Sequence, residues 1–569
     1  VILVVLLYGA LLIGLGCRIE IALAGQLYAL ASYFLGSRIL LTFERRSAVS
    51  IANPVARALL ATTLGCIGYG TTLGLLLHWT TDVRWMSGTV WILNLAAIAL
   101  AARAWKSDPA TATDRIRESI RALSHHRFEA ALAVAICLCT VVGFSNSPNQ
   151  NFVRAGIAYE QLDPPVPNWG YQGDKGTHLI LRSQQILAQG LPSANVGHRG
   201  MQLSILPIPL SLGSTNARDF VDAFKLVTLW VWVGLLLTIR MIGREIYNLS
   251  ERTSMLLEVS IIFMGAISIP VISWPSSTYA GFMKPGLSTF HNMTQLYSLM
   301  VASTGFYLLM HSFKNRRSGI LLGVLLICAS FFYKPSTFTL VAPIVLGWGI
   351  LSMRSLTFRE VVSLSVLCAI PVGWFLYLRM IGIQSPPLNP EFAPFLLYFG
   401  RAAWHFPGLV LSSPWFLGTA ILVCSFLFVL LVGLPRVKSI LDFRFRREEL
   451  IYAIPLSLLL VGTVVSLVLV ENNDRQSHGN FAWLGHTGYF LAVPMFFSLF
   501  EGIRSSAYKT MCYAVLLLHI AAGVQHLAYF TIQGKILGPE LRAVRVPTAA
   551  TTPSPPPLAR QLAGPTNQE

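Results

Sequence analysis

Asp174, His178 and Arg182 fall at positions i, i+4 and i+8 of the stretch GYQGDKGTHLILRSQQILAQGLP, Gly170 to Pro192. In a helix that spacing puts a carboxylate, an imidazole and a guanidinium on one face. A carboxylate can take the proton of an attacking hydroxyl, and a guanidinium beside it can hold a phosphate oxygen that is gaining charge. Leu179, Ile180, Ile186 and Leu187 form an apolar flank, so the expected element is an amphipathic helix lying at a membrane surface. Asp174 would also serve as an N-cap, Gly190 as a C-cap and Pro192 as a stop. Capping alone would not explain why His178 and Arg182 follow on the same face of so charge-poor a chain.

Three other stretches could contribute chemistry. GFMKPGLSTFHNMTQ brings Lys284, His291 and Asn292 to the start of an apolar run, where capping would be their ordinary use. SFFYKPSTF places Tyr333 and Lys334 at a tight hairpin, with Pro335 limiting the helix; Lys334 could bind an anion or simply snorkel to the headgroups. ENNDRQSHGNFAWLGHTGYF packs Asp474, Arg475, His478, Asn480, Trp483 and His486 into one short connection, and Arg475 with His478 could hold a phosphate or pyrophosphate. No two histidines sit at ligand spacing on a helix, which argues against a histidine metal site.

The elements that must position these residues are oily. The chain of 569 residues is 54% hydrophobic and 12% charged, with mean hydropathy +0.60, against about a quarter charged in a soluble domain. Apolar runs long enough to span recur near 1–17, 21–43, 58–79, 86–105, 129–146, 221–240, 254–273, 293–312, 319–333, 336–352, 361–380, 409–434, 450–470, 487–503 and 510–531. Lys and Arg cluster after every second run, at 44–46, 103–127, 240–252, 314–317, 354–359, 436–447 and 504–509. All seven clusters fall on one side if the N-terminus is cytoplasmic. The net charge of +17 therefore reads as topology signals and argues against a nucleic-acid partner. The eight Cys lie in or beside apolar runs and read as small core residues. The other, outer side receives the long polar segments 147–220, 274–292, 381–408 and 471–486, together with the Tyr333-Lys334-Pro335 junction.

The expected organisation is a leading set of transmembrane helices over 1–105, a basic cytoplasmic linker over 106–128, a core over 129–352, further transmembrane helices over 353–532, and a disordered tail over 533–569 rich in Pro, Thr and Ala. The segment RGMQLSILPIPLSLG, too short to span and broken by two prolines, suggests a second helix in the membrane interface before the run at 221–240.

That order, a run at 129–146, then GDKGTHLILRSQQILAQGLP, then RGMQLSILPIPLSLG, resembles the first outer loop of the GT-C superfamily of polytopic membrane glycosyltransferases. Protein O-mannosyltransferases and aminoarabinose transferases are members. The resemblance covers the arrangement of roughly 129–350 and implies an all-α polytopic fold, a GT-C-like bundle of about 13–15 transmembrane helices with interfacial helices in the first large loop. It implies that Asp174 is the catalytic or metal-binding carboxylate, so a divalent ion, if one is used, would bind there. The chain departs from many members in having Lys175 where a second acid would neighbour Asp174, which argues against a metal, and in its four leading runs.

The implied donor is a polyprenyl-phosphate sugar in the outer leaflet, the acceptor a glycan, lipid or protein, and the setting an inner cell membrane. Asp174 would act on the acceptor hydroxyl. His178, Arg182, His291, Asn292, Lys334, Arg475, His478 and Asn480 would bind substrate or its phosphate. The competing readings are a polymerase or ligase of lipid-linked saccharides, which would rely on Arg and His, and a transporter or flippase, which would need charges at mid-membrane depth.

Overall fold

A computed structural model describes residues 9, 10, 13, 17–47, 53–107, 114, 117, 125–145, 182–193, 199–264, 293–315, 319–334, 337, 340–350, 356–380, 390–392, 426–436, 449–471 and 482–533. The chain is an all-α membrane protein, with one short strand pair among the described residues. The expected tail over 533–569 lies, after Gln533, outside the described residues.

The leading helices are α1 (Ile19–Ser47), α2 (Pro54–Leu76) and α3 (Val83–Ser107). Helix α2 is started by Asn53, whose side-chain oxygen accepts from the backbone N–H groups of Val55 and Ala56, with Pro54 in the first turn where no N–H is needed. Helices α1 and α2 cross at glycines: a Cβ at Gly36 would fall on the Ala61 carbonyl, and one at Gly65 on the Ser32 carbonyl. Lipid tails give apolar helices no solvent-driven reason to associate, so close backbone packing at small residues must do it. Gly65→Ala is therefore expected to lower stability by about 1–3 kcal/mol through overpacking. Gly68→Ala, on the same helix, should be tolerated, because its Cβ would meet only Ile39 Cδ1, at 3.7 Å. Melting of the detergent-solubilised variants checks the contrast.

Then come α4 (Arg127–Ser145), three short helices α5 (Arg182–Ser193), α6 (Gly200–Ile205) and α7 (Pro207–Ser211), and the long α8 (Ala217–Met241), which continues as a π-helical turn over Ile242–Ile246. Helix α8 is the centre of the molecule, packed against α1, α4 and α10 (Met293–Asn315). Its span is 94% buried, whereas the spans of α3 and of the last helix, α17 (Ser506–Gln533), are 22% buried and face outward. Five of the described helices, α1, α2, α3, α8 and α17, are long and apolar enough to cross a membrane. On α3, Trp85 and Trp105 are exposed at the two ends, 20 residues or about 30 Å apart along a helix, which is the hydrocarbon thickness flanked by interfacial tryptophans.

The rest of the chain forms α9 (Glu251–Phe263), α11 (Ile320–Ser330), α12 (Val341–Ile344, continuing as a π-helix over Val345–Ile350), α13 (Phe358–Met380), α14 (426–433), α15 (Leu450–Val468) and α16 (Ala482–Glu501). Two of these are shorter than the sequence led one to expect. Helix α9 ends at Phe263 rather than near 273, where Met264 turns extended and Gly523 of α17 packs directly on the Phe263 carbonyl. Helix α11 has 11 residues, about 16 Å, too little to cross a bilayer alone.

Four of the seven basic clusters, at 44–46, 240–252, 314–317 and 504–509, share one end of the described bundle. Arg57 pairs with Glu44 at 2.7 Å, Lys314 reaches the carbonyls of Glu245 and Ile246 at 2.7 and 2.9 Å, and the Ser250 N–H donates to Glu501 at 3.1 Å. Arg240 pairs with Glu129 of α4 and Glu251 of α9, and lies 3.8 Å from Glu258. His126, 3.4 Å from Glu129, is pushed below its ordinary value by burial and then by the Arg240 charge. At the opposite end, Arg18 before α1 pairs with Asp219 of α8 at 3.0 Å, and strands β1 (Pro390–Phe392) and β2 (Leu469–Glu471) pair antiparallel. That ladder brings together the loops at 381–408 and 471–486, which the charge pattern put on one side.

Candidate functional site

The site is built at this second end, where the segment before α8 folds back into the bundle. Helix α5 buries Ile186 and Leu187, the apolar flank expected of it, and breaks at Gly190, whose φ of 73° is the left-handed conformation that favours glycine. Just beyond, the Leu191 N–H donates to the Leu77 carbonyl at the end of α2. The pair α6 and α7 was expected to lie in the membrane interface; it is instead buried, with Met201, Gln202, Ile205, Ile208 and Leu210 all at 1% exposure or less. Pro207 and Pro209 break the run into two short turns. Short pieces can pack against α2, α8, α1 and α3 where one straight helix could not.

The backbone N–H groups of Arg199 and Gly200 both donate to the Phe332 carbonyl, at 2.9 and 2.8 Å. This bond pins the first long loop to the hairpin that follows α11. Gly200 is needed there, because a Cβ would come within 2.8 Å of the Tyr333 ring. The Ser204 hydroxyl meets the Tyr333 hydroxyl at 2.9 Å. On the other side of the hairpin, Ser298 of α10 donates to the Ser330 carbonyl at 3.0 Å, and Thr337 donates to the Lys334 carbonyl at 2.6 Å.

Lys334 is thus not at an exposed tip. It is 7% exposed, beside a turn level with Ser298, which lies five residues, or about 7 Å, inside the described start of α10 at Met293. A snorkelling lysine would reach outward; this one is buried, and its backbone is tied to Ser330 and Thr337. Arg199 is 2% exposed. Burial pushes its guanidinium below the ordinary value, and the Tyr377 hydroxyl within hydrogen-bonding reach works the other way. Two cationic residues, Arg199 and Lys334, are therefore buried on the two sides of the backbone contact at the Phe332 carbonyl. Gln202, Gln295, His486 and Thr487 are also buried at this end, with Gln295 donating to Thr487 at 2.7 Å.

Of the residues singled out from the sequence, Lys334 is in this cluster and Arg182 begins α5. Asp174, His178, His291, Asn292, Arg475, His478 and Asn480 lie outside the described residues. A divalent ion at Asp174 would sit there too; among the described residues no group of three or more His, Cys, Asp or Glu is arranged to hold a metal. Arg199 was missed. Its signal was a lone basic residue, before a glycine, opening the apolar run RGMQLSILPIPLSLG. Chemically, a buried guanidinium and a buried ammonium can hold a polyanion such as a phosphate. No family model, curated protein or solved structure matches the chain, so this reading of the site stands on its own residues.

Proposed function

We propose that the chain is an integral membrane glycosyltransferase of GT-C type, a bundle of about 13–15 transmembrane helices that moves a sugar from a polyprenyl-phosphate donor to an acceptor hydroxyl. In this reading the N-terminus is cytoplasmic and the reaction takes place on the outer face. The single observation that carries the proposal is the burial of two cationic residues, Arg199 and Lys334, beside one backbone contact at the end of the bundle that receives the first long loop. A departing lipid phosphate gains charge as its bond to the sugar breaks, and cations fixed in a water-poor site stabilise that charge without having to reorganise.

The step balances simply. The acceptor oxygen bonds to the anomeric carbon, the bond from that carbon to the phosphate oxygen breaks with its electron pair, and the acceptor proton passes to the Asp174 carboxylate. Arg199 and Lys334, with Arg182 and Arg475, hold the leaving phosphate, and His178, His291, Asn292, His478 and Asn480 line the substrate. Direct attack inverts the anomeric centre.

The test is to incubate the purified chain with polyprenyl-phosphate sugars and a native membrane extract, following labelled sugar into product. Transfer is expected from at least one donor; absence of transfer from all of them overturns the proposal. Lys334→Met is expected to lower kcat by about 10²–10³, the effect of removing one fixed charge-stabilising donor.

A further inference from the structure

Arg199 is reached from the lipid-facing flank through a contact that the leading helices make. The Tyr377 hydroxyl of α13 lies 3.0 Å from His78 Nε2, at the end of α2. Around this pair the surface is apolar and open to the bilayer: Trp79 is 87% exposed, Met380 84% and Leu376 58%. Behind it, Tyr377 stacks on Trp374 with ring centroids 5.4 Å apart, and Trp374 packs on Phe332 at 4.5 Å. The Phe332 carbonyl is the one that anchors Arg199 and Gly200. The Tyr377 hydroxyl is also within hydrogen-bonding reach of the Arg199 guanidinium, so the pair His78 and Tyr377 leads directly from this flank to a buried cation.

One group beside that pair is unsatisfied. The indole N–H of Trp374 is buried and has no hydrogen-bond partner. A buried donor without an acceptor costs free energy, and this one lies one ring, Tyr377, from the Arg199 guanidinium, an arrangement that suits a ligand with several acceptor oxygens. The flank supplies apolar surface for a chain, and the interior supplies donors and charge for a headgroup.

The geometry points to a side door: a lipid carrying a phosphate headgroup passes from the bilayer between His78 and Tyr377, and its phosphate is held by Arg199 and the Trp374 N–H. The leading helices then have a function in the site, because His78 forms one side of the doorway. This rests on the proposed function only for the lipid's identity as the polyprenyl-phosphate donor; the phosphate and its lipid tail are read from the residues themselves.

The test measures binding without transfer. The full chain, in nanodiscs of zwitterionic phosphatidylcholine, is titrated with a fluorescent polyprenyl phosphate and with the matching uncharged polyprenol, with inorganic phosphate and phosphatidylglycerol as competitors. Arg199→Gln is expected to raise Kd for the phosphate about tenfold or more, with Arg199→Lys intermediate, because it removes charge-assisted bonds. Trp374→Phe keeps the ring and removes only the N–H, so it should raise Kd about threefold and serves where Arg199→Gln fails to fold. Polyprenol should bind more weakly and ignore both changes.

His78 and Tyr377 meet at their ring tips, too far apart at the backbone for a direct disulfide, so a paired variant, His78→Cys with Tyr377→Cys, is bridged with a reductively cleavable bifunctional maleimide; the bridge should slow lipid uptake at least about tenfold, with recovery on cleavage. Wild-type Kd in folded Arg199→Gln and Trp374→Phe variants overturns the site, and wild-type uptake through the bridged pair overturns the door. Equal competition by inorganic phosphate reassigns the site to a soluble anion, and equal competition by phosphatidylglycerol reassigns it to bulk lipid; either overturns the donor route. A chain that binds as expected but transfers no sugar would sink the glycosyltransferase reading and leave the side door standing. A chain that transfers, with a Kd indifferent to Arg199 and Trp374, would do the reverse.

Discussion

Arg240→Ala is expected to destabilise the bundle by about 3–5 kcal/mol, the cost of leaving buried charge without its partner. The Arg240 side chain is 10% exposed, and it serves Glu129 and Glu258, both fully buried, as well as the half-exposed Glu251. Without it, the buried Glu129 and Glu258 would lose their cation, since His126 beside Glu129 is held toward its neutral form, whereas Glu251 would keep Arg244 at 3.3 Å. The expected readout is a large fall in the melting temperature of the solubilised chain. Glu129→Gln combined with Arg240→Met should recover a good part of the loss, because removing both sides of a buried pair is far milder than removing one. A melting temperature unchanged in Arg240→Ala would mean that the pair is open to water and of little consequence.

Asp174→Asn is expected to reduce transfer by about 10²–10⁴ while leaving insertion and melting as they were. This substitution separates the two uses of the residue, because Asn is as good an N-cap as Asp. It keeps the cap and removes the base. Asp174→Ala would confuse them, adding a cap loss of about 0.5–2 kcal/mol. Retained transfer in the Asn variant would remove Asp174 from the mechanism and favour a polymerase or ligase that works with Arg and His.

The sequence made the helices legible where a hydrophobic run and a basic cluster coincide. The expected runs at 58–79, 221–240 and 510–531 correspond to Pro54–Leu76, Ala217–Met241 and Ser506–Gln533, since length and apolarity are what a bilayer selects. The basic clusters at 44–46, 240–252, 314–317 and 504–509 meet at one end for the same reason. Depth was not legible. Lys334 and the run RGMQLSILPIPLSLG read as surface features, because a lysine beside a proline and a proline-broken segment usually are. Both proved to be buried, through a single backbone contact between Arg199 and Phe332 made across more than a hundred residues. No local pattern announces such a contact, and the same is true of Tyr377 meeting His78.

The enclosure of α8 bears on how the chain is made. It is among the most apolar of the described helices and yet 94% of its span is covered by protein, so on leaving the ribosome it must first face lipid on several sides. Its partners α1, α2 and α4 precede it in the chain and can receive it at once, whereas α9 and α10 come later. One side of α8 therefore stays in contact with acyl chains until the second half is synthesised. That interval, with a long apolar surface waiting for its cover, is when the nascent chain is most exposed to wrong helix partners.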